Sequence, residues 1–408
     1  MNVFATLKER GFIEQCTDEK KVEALFDKPI VCYTGFDPTG DSLHVGHLFP
    51  IMALMHIERA GHTPIALLGG GTAMVGDPSG KTEIRKMLTK EQIEANKRSI
   101  ASQMKRYLDI DGGKTLLMDN ADWLMNLNYV EFLRDIGRHF SVNRMLAAEA
   151  YKIRIETGLS FIEFNYQIMQ AYDFLTLFRT KNCVLQMGGN DQWGNILAGE
   201  DLIRRLEATE VHAMTYPLLT NSEGKKMGKT EGGSVWLDAE KLSPFGYFQY
   251  WRNTDDRDVI KMLKYFTFLP MEQIRDMETW KDGDINKAKE ILAFEATKIT
   301  HGEVEAQKAL DAARAMFSGA QTSLDGIPET AVSADELKSG SLDIVSLLVR
   351  AELAPSRGEA KRLVQQGGVS VNDVAVSDFK FVASDKDFTE NGLILRVGKK
   401  KYHKFILQ

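Results

Sequence analysis

His44-Val45-Gly46-His47 places two imidazoles three residues apart at the start of an apolar helical pattern. At that spacing they share one helix face near its N-terminus, where unpaired amides and the positive end of the dipole receive phosphate. Gly46 between them lets a planar base approach the backbone. The spacing is not that of the two-histidine zinc-protease helix, and no third ligand stands nearby, so no metal site is expected. Lys226-Met227-Gly228-Lys229-Thr230 lies in a charged, glycine-punctuated loop, 221–234. Two lysines on such a loop can close over a triphosphate and neutralise charge on a leaving group. Tyr166, Gln170 and Asp173 are offset by four and seven, so they share a face of one otherwise apolar helix and need partners if buried. Gly188-Gly189-Asn190-Asp191-Gln192-Trp193-Gly194-Asn195 follows a strand pattern. Its small residues allow close approach, and its amides and carboxylate suit hydroxyls. Taken singly, each cluster also fits a plainer role: a chance histidine pair, a solvated basic turn, a polar helix face, a strand-to-helix turn. Gly76-Asp77-Pro78-Ser79-Gly80-Lys81-Thr82 ends like a P-loop. Only three residues separate its glycines where that motif needs four, and Pro78 lacks an amide, so it is not one.

A frame must bring these clusters together. Residues 29–34 read as a buried strand, 43–60 as a helix stopped by Gly61, and 64–69 as a second strand. Strand, helix, strand at this spacing is a βαβ unit, which predicts a parallel sheet with helices on both faces. Further strands fit 115–118 and 183–187, and helices fit 91–107, 129–138, 161–179 and 193–207. In such sheets ligands sit at the carboxyl ends of the strands, where the clusters fall. Residues 244–317 show helical periodicity throughout, 318–340 are rich in Ser, Gly, Ala and Thr, and 341–408 return to a compact mixed pattern.

Composition excludes other classes. No apolar run reaches the roughly 20 residues of a membrane span, and the first residues lack a signal-peptide pattern. Three scattered cysteines (Cys16, Cys32, Cys183) argue for a reducing cytoplasm rather than a disulfide framework. Net charge is −6, yet residues 341–408 hold 11 Lys/Arg against 8 Asp/Glu, a balance of +3, which leaves −9 on the first 340 residues. An acidic body with a basic tail fits a tail that meets a polyanion.

The combination of His-x-Gly-His after the first strand with Lys-Met-x-Lys far along the chain resembles the paired signatures of class I aminoacyl-tRNA synthetases. Their usual forms are His-Ile-Gly-His and Lys-Met-Ser-Lys-Ser; this chain departs at Val45, Gly228 and Thr230 and keeps both histidines and both lysines. Tyr33-Thr34-Gly35-Phe36-Asp37-Pro38-Thr39, Gly76 to Lys81, Gln170-Ala171-Tyr172-Asp173 and Gly189 to Asn195 follow in the order of the bacterial tyrosyl-tRNA synthetase family, and the resemblance spans nearly the whole chain. It implies a Rossmann-like α/β catalytic domain over 1–220, binding tyrosine and ATP, and a mobile loop at 221–235. An all-helical anticodon-side domain over 236–317 and a linker at 318–340 would follow. Residues 341–408, with Ser356 to Leu363, Gly367 to Asn372 and Lys399-Lys400-Lys401, resemble the S4-like RNA-binding domain of a ribosomal small-subunit protein.

By the same resemblance Tyr33 and Asp173 bind the phenolic hydroxyl of tyrosine, and Asp77, Tyr166 and Gln170 hold its α-ammonium. Gln192 is close to the substrate carboxylate or the ribose, which Gly189 and Asp191 bind. Gly35, Asp37 and Gly46 line the nucleotide and substrate pocket. Thr39, His44, His47, Lys81, Arg85, Lys226 and Lys229 face the phosphates. The expected reactants are tyrosine, ATP with Mg2+ and tRNA(Tyr), with no organic cofactor, no structural zinc and no membrane. A cytoplasmic homodimer is expected, joined through residues 125–165. Three rivals stay open at this point: a tryptophanyl enzyme, a small-molecule nucleotidyltransferase, and a catalytically silent RNA-binding relative.

Overall fold

The computed structural model describes all residues except 1, 80–86, 148–150, 152–154, 157, 225, 231–232, 282, 319–327, 373, 390–391 and 399–400. They fall into two compact units, 1–238 with 255–280, and 239–254 with 281–408.

The first unit is built on a six-stranded sheet: β1 (Gln15–Cys16), β2 (Val31–Phe36), β3 (Thr63–Leu68), β4 (Leu116–Asp119), β5 (Cys183–Gly189) and β6 (His212–Tyr216), in the order β1-β6-β5-β2-β3-β4. All pairs are parallel except β1 with β6. The order reverses between β2 and β5, and a crevice opens there at the carboxyl ends. Tyr33, Ile65, Leu67, Phe174, Leu175 and Leu202 belong to one fully buried cluster between the sheet and its helices. The strands therefore read as near-continuous apolar runs rather than alternating ones.

Helix Val45–Arg59 follows β2, with Leu48, Ile51, Met52 and Met55 buried. Pro50 is accommodated near its start. The segment expected as one helix over 161–179 is two: Ser160 caps Phe161–Phe164, and Tyr166–Lys181 starts after Asn165. Helices Val259–Phe266 and Met271–Glu278 belong to this unit rather than to the helical domain proposed over 236–317. One tie is Arg10, 4% exposed, whose guanidinium donates to the carbonyls of Lys264 (2.9 Å), Thr267 (2.8 Å) and Leu269; another is the packing of Tyr265 and Phe266 on Phe49. Arg10 joins the end of Val259–Phe266 to the first helix, Val3–Arg10.

In the second unit, helices Pro244–Arg252, Gly283–His301 and Glu303–Ser318 pack together, with Trp251 and Tyr247 fully buried. A five-stranded sheet follows, in the order Val374–Ala375, Val369–Val371, Leu393–Val397, Lys401–Leu407, Glu329–Val332. Its core holds Ile344, Leu348, Val364, Leu395 and Phe405. Composition placed 329–338 in a linker. Instead Glu329–Val332 pairs in parallel with Lys401–Leu407, and Ala334–Lys338 is a short capped helix. Residues 319–327 of that stretch lie outside the described residues.

Candidate active site

The carboxyl ends of β2 and β5 and the starts of the helices that follow enclose a cavity of about 370 Å³. Tyr33, Gly35, Asp37, Thr39, Gly46, His47, Asp77, Tyr166, Gln170, Asp173, Gly189, Asp191 and Gln192 all line it. The far-separated sequence clusters thus meet on one surface.

At its closed end lie Tyr33 and Asp173, 1% and 2% exposed. Asp173 accepts from Asn120 Nδ2 at 2.9 Å and Trp123 Nε1 at 2.7 Å. Burial outweighs these two bonds and pushes its carboxyl up to about 8. The Tyr33 hydroxyl is buried with no partner among the described residues, and burial, then the Asp173 charge, raise its pKa well above the ordinary phenol value. Gln170 and Gln186 likewise have a buried side-chain oxygen without a partner. Buried polar atoms are normally paired, so a cavity that keeps several unpaired is shaped for a polar ligand.

Further along, Asp37 accepts from Thr72 Oγ1 at 2.8 Å and Tyr166 Oη at 3.0 Å. Asp77 accepts from the Ser79 amide at 2.9 Å and Gln192 Nε2 at 2.7 Å, and burial lifts its carboxyl to about 6. Among the described residues, no Lys or Arg lines the cavity. Gathered carboxylates are complementary to an ammonium group.

Neighbouring side chains crowd the glycines here. A Cβ on Gly189 would lie 2.5 Å from Asp191 Oδ1, and one on Gly46 would lie 2.8 Å from His44 Cε1. His44 caps helix Val45–Arg59: its Nδ1 accepts from the Gly46 amide at 3.0 Å, and His47 Nδ1 accepts from the His44 amide at 3.2 Å. The rings stack with centroids 3.9 Å apart. A nitrogen that accepts carries no proton, so each ring holds its proton on Nε2. Burial and then His44 depress His47 to about 3, which keeps it a neutral donor.

The second signature packs against the first. Val45 N donates to Val235 O at 3.0 Å, Leu237 N to Leu43 O at 2.9 Å, and Val235 N to Gly228 O at 2.9 Å. Gly228 has φ +88°, and a Cβ on it would lie 3.0 Å from Gly46 N. Glycine at this departure from the family form lets the loop approach the helix start backbone to backbone. Lys226 is exposed and lines a separate cavity of about 860 Å³ with Asp191 and Trp193, which holds no other expected site residue. Lys81, Arg85 and the Lys229 side chain lie outside the described residues.

Sequence reasoning missed Asn120, Thr72, Trp123 and Gln186, all of which touch this network or line it. Asn120 follows β4 directly, so the carboxyl-end rule alone could have marked it. Among the described residues no group of three or more His, Cys, Asp or Glu is arranged to hold a metal, and no helix is long and apolar enough to cross a membrane.

The chain matches the family model for class I tRNA synthetases (W and Y) over residues 26–318, and a tyrosine-tRNA ligase SYY-like C-terminal domain over 320–405. It is 56% identical to a tyrosine-tRNA ligase of Acetivibrio thermocellus, covering 99% of this chain and 98% of that one. It is 54% identical to the ligase of Clostridium tetani, covering 100% and 99%. A C-terminally truncated mitochondrial tyrosyl-tRNA synthetase of Aspergillus nidulans superposes with a TM-score of 0.70 at 31% identity, covering 78% of this chain and 94% of that one.

Proposed function

We propose that this chain, which belongs to the class I tRNA synthetases (W and Y), is a tyrosine-tRNA ligase that activates tyrosine with ATP and passes it to tRNA(Tyr). The observation that carries the tyrosine end is the unpartnered Tyr33 hydroxyl beside Asp173 at the bottom of the cavity. A phenolic hydroxyl there accepts from Tyr33 and donates to Asp173. Tryptophan offers a single N–H and no acceptor, so it leaves the Tyr33 hydroxyl unpaired.

Asp77, Tyr166 and Gln170 hold the α-ammonium, and Gln192 lies near the carboxylate or the ribose. Gly35, Asp37, Gly46, Gly189 and Asp191 take the nucleoside. One carboxylate oxygen of tyrosine attacks the α-phosphorus of ATP. The new O–P bond forms as the bond to the β-phosphate oxygen breaks, and pyrophosphate leaves. His44 and His47, each with its proton on Nε2, together with Thr39, donate to phosphate oxygens. Lys81, Arg85, Lys226 and Lys229 neutralise the departing charge. Catalysis is therefore positioning plus charge stabilisation, with no covalent enzyme intermediate. A ribose hydroxyl of the tRNA 3′ end then attacks the tyrosyl carbonyl, and AMP leaves. Magnesium enters with ATP as part of that substrate. No organic cofactor and no zinc is required.

Residues 341–408 bind the tRNA, with the exposed Arg362 on helix Arg357–Gln365 and the lysines at 399–401 set against its backbone. The enzyme works in the cytoplasm as a homodimer. Between residues 125 and 165, Val130 and Phe161 are 70% and 71% exposed, a large apolar display for a single subunit. The test is exchange of labelled pyrophosphate into ATP with each amino acid in turn. Tyrosine alone should support it. Exchange with tryptophan, or without any amino acid, sinks the assignment.

A further inference from the structure

Helix Lys90–Met104 spends one polar face on a stretch of irregular backbone. Asn96, Ser99 and Gln103 stand at offsets of three and seven, which aligns them on that face. All reach residues 38–43. Asn96 Nδ2 donates to Pro38 O at 3.0 Å, and Ser99 Oγ to Asp41 O at 2.6 Å. Gln103 Oε1 accepts from Leu43 N at 3.0 Å and from Ser42 Oγ at 3.2 Å. Gln103 is 4% exposed, and its Nε2 donates back to Ser99 at 3.3 Å.

The held segment carries Thr39 and joins Asp37, at the end of β2, to the cap residue His44. It belongs to no helix or strand, so its polar groups must be satisfied from outside. Leu43 is gripped on both sides: its N–H by Gln103, its carbonyl by the Leu237 amide at 2.9 Å. The peptide so fixed is the one that leads into His44. Gln103 itself does not line the cavity.

We propose that Gln103 is a positioning residue for the adenylation step: through Leu43 it sets where the His44 and His47 imidazoles stand, while Asn96 and Ser99 fix the Thr39 end. The proposal rests on the reading of the cavity as an adenylation site. Its consequence is a separation between the two substrates. Tyr33, Asp173, Tyr166 and Gln170 are carried by β2 and helix Tyr166–Lys181, so the tyrosine pocket does not depend on the Gln103 bond.

The test uses the full chain with Gln103→Leu, Gln103→Glu and Asn96→Ala. Gln103→Leu strands the buried Leu43 N–H, while Ser42 Oγ keeps the Leu43 carbonyl at 3.0 Å, and should lower kcat/KM for ATP on the order of tenfold, leaving the Kd for tyrosine within twofold. Gln103→Glu keeps the acceptor oxygen and should recover most of that loss. If Gln103→Leu does not fold, Asn96→Ala carries the test, with a smaller loss in the same direction. A parallel fall in tyrosine affinity makes the role merely structural and overturns the proposal. So does an unchanged kcat/KM for ATP in the folded variants, or a Gln103→Glu no better than Gln103→Leu. Wild-type protein without tyrosine-dependent exchange takes down the adenylation reading, and the proposal with it.

Discussion

Tyr33→Phe should weaken the enzyme without weakening the protein. The Tyr33 hydroxyl is buried and has no partner among the described residues, so its removal breaks no bond in the ligand-free chain. A stranded buried donor costs about 1–3 kcal/mol, and deleting it returns part of that cost. Stability should therefore be unchanged or higher; a gain of ~1 kcal/mol corresponds to roughly 2–4 °C in Tm for a domain of 150–250 residues. Binding moves the other way. With tyrosine bound, the hydroxyl gains a partner worth about 0.5–1.5 kcal/mol net, which converts to roughly a 2- to 13-fold loss in kcat/KM for tyrosine. Phenylalanine has no hydroxyl to lose, so its kcat/KM should hold or rise, and the selectivity ratio should narrow by at least the same factor. Pyrophosphate exchange with both amino acids and scanning calorimetry measure the two halves. A Tm several degrees lower, or equal losses for both amino acids, would show that the hydroxyl supports the fold and not the substrate.

Three further outcomes are expected. Burial raises the Asp173 carboxyl to about 8, above its unfolded value near 4, so its contribution to stability is full below about pH 4 and is lost as pH rises through 8. Urea unfolding should show wild type losing stability relative to Asp173→Asn across that window, and parallel curves would refute burial as the cause. Gly228→Ser places a side chain at φ +88°, with its Cβ 3.0 Å from Gly46 N, and should slow adenylation on the order of tenfold while tyrosine affinity is kept; an unchanged single-turnover rate refutes the docked loop. A chain ending near residue 325 should form tyrosyl-adenylate at close to the normal rate, yet charge tRNA poorly, and full-length charging should be the more salt-sensitive step; undiminished charging by the short chain refutes RNA binding by the tail.

The centre of the first unit was legible because its signals are local. β2, β3 and β5 are apolar runs, and the helices between them carry a 3.6-residue period with a cap at one end and a glycine or asparagine at the other. The edges were not. β1 is two residues long, and the buried β6, HAMTY, mixes polar and apolar residues in no period. Helix Val259–Phe266 looked like part of a helical run, and what assigns it to the first unit lies far away in sequence: the Arg10 bonds and the packing of Tyr265 and Phe266 on Phe12 and Phe49. In the site, residues inside compact motifs were found. Asn120 was not, because its role is to spend one amide on the Gly71 N–H (2.8 Å), Thr72 and Asp173 at once, a function of three-dimensional convergence. Gln103 escaped for the same reason.

Charge is unevenly distributed around the cavity. The cavity gathers Asp37, Asp77 and Asp173, and among the described residues no Lys or Arg lines it. A lysine fixed there would pair with Asp37 or Asp77, lower their pKa values and compete with the substrate ammonium. Yet adenylation needs positive charge, because pyrophosphate must leave. Two of the cations proposed for this step lie on a loop apart from the strands that build the pocket. Lys226 and Lys229 stand on a loop whose backbone docks against the start of helix Val45–Arg59, where Gly228 lies over Gly46. The neutral imidazole of His47 lines the cavity with its proton on Nε2 and, on the function proposed above, donates to phosphate without adding a charge. Burial lowers His47 to about 3 and raises the Asp173 carboxyl to about 8, so one physical cause holds both side chains uncharged near neutral pH.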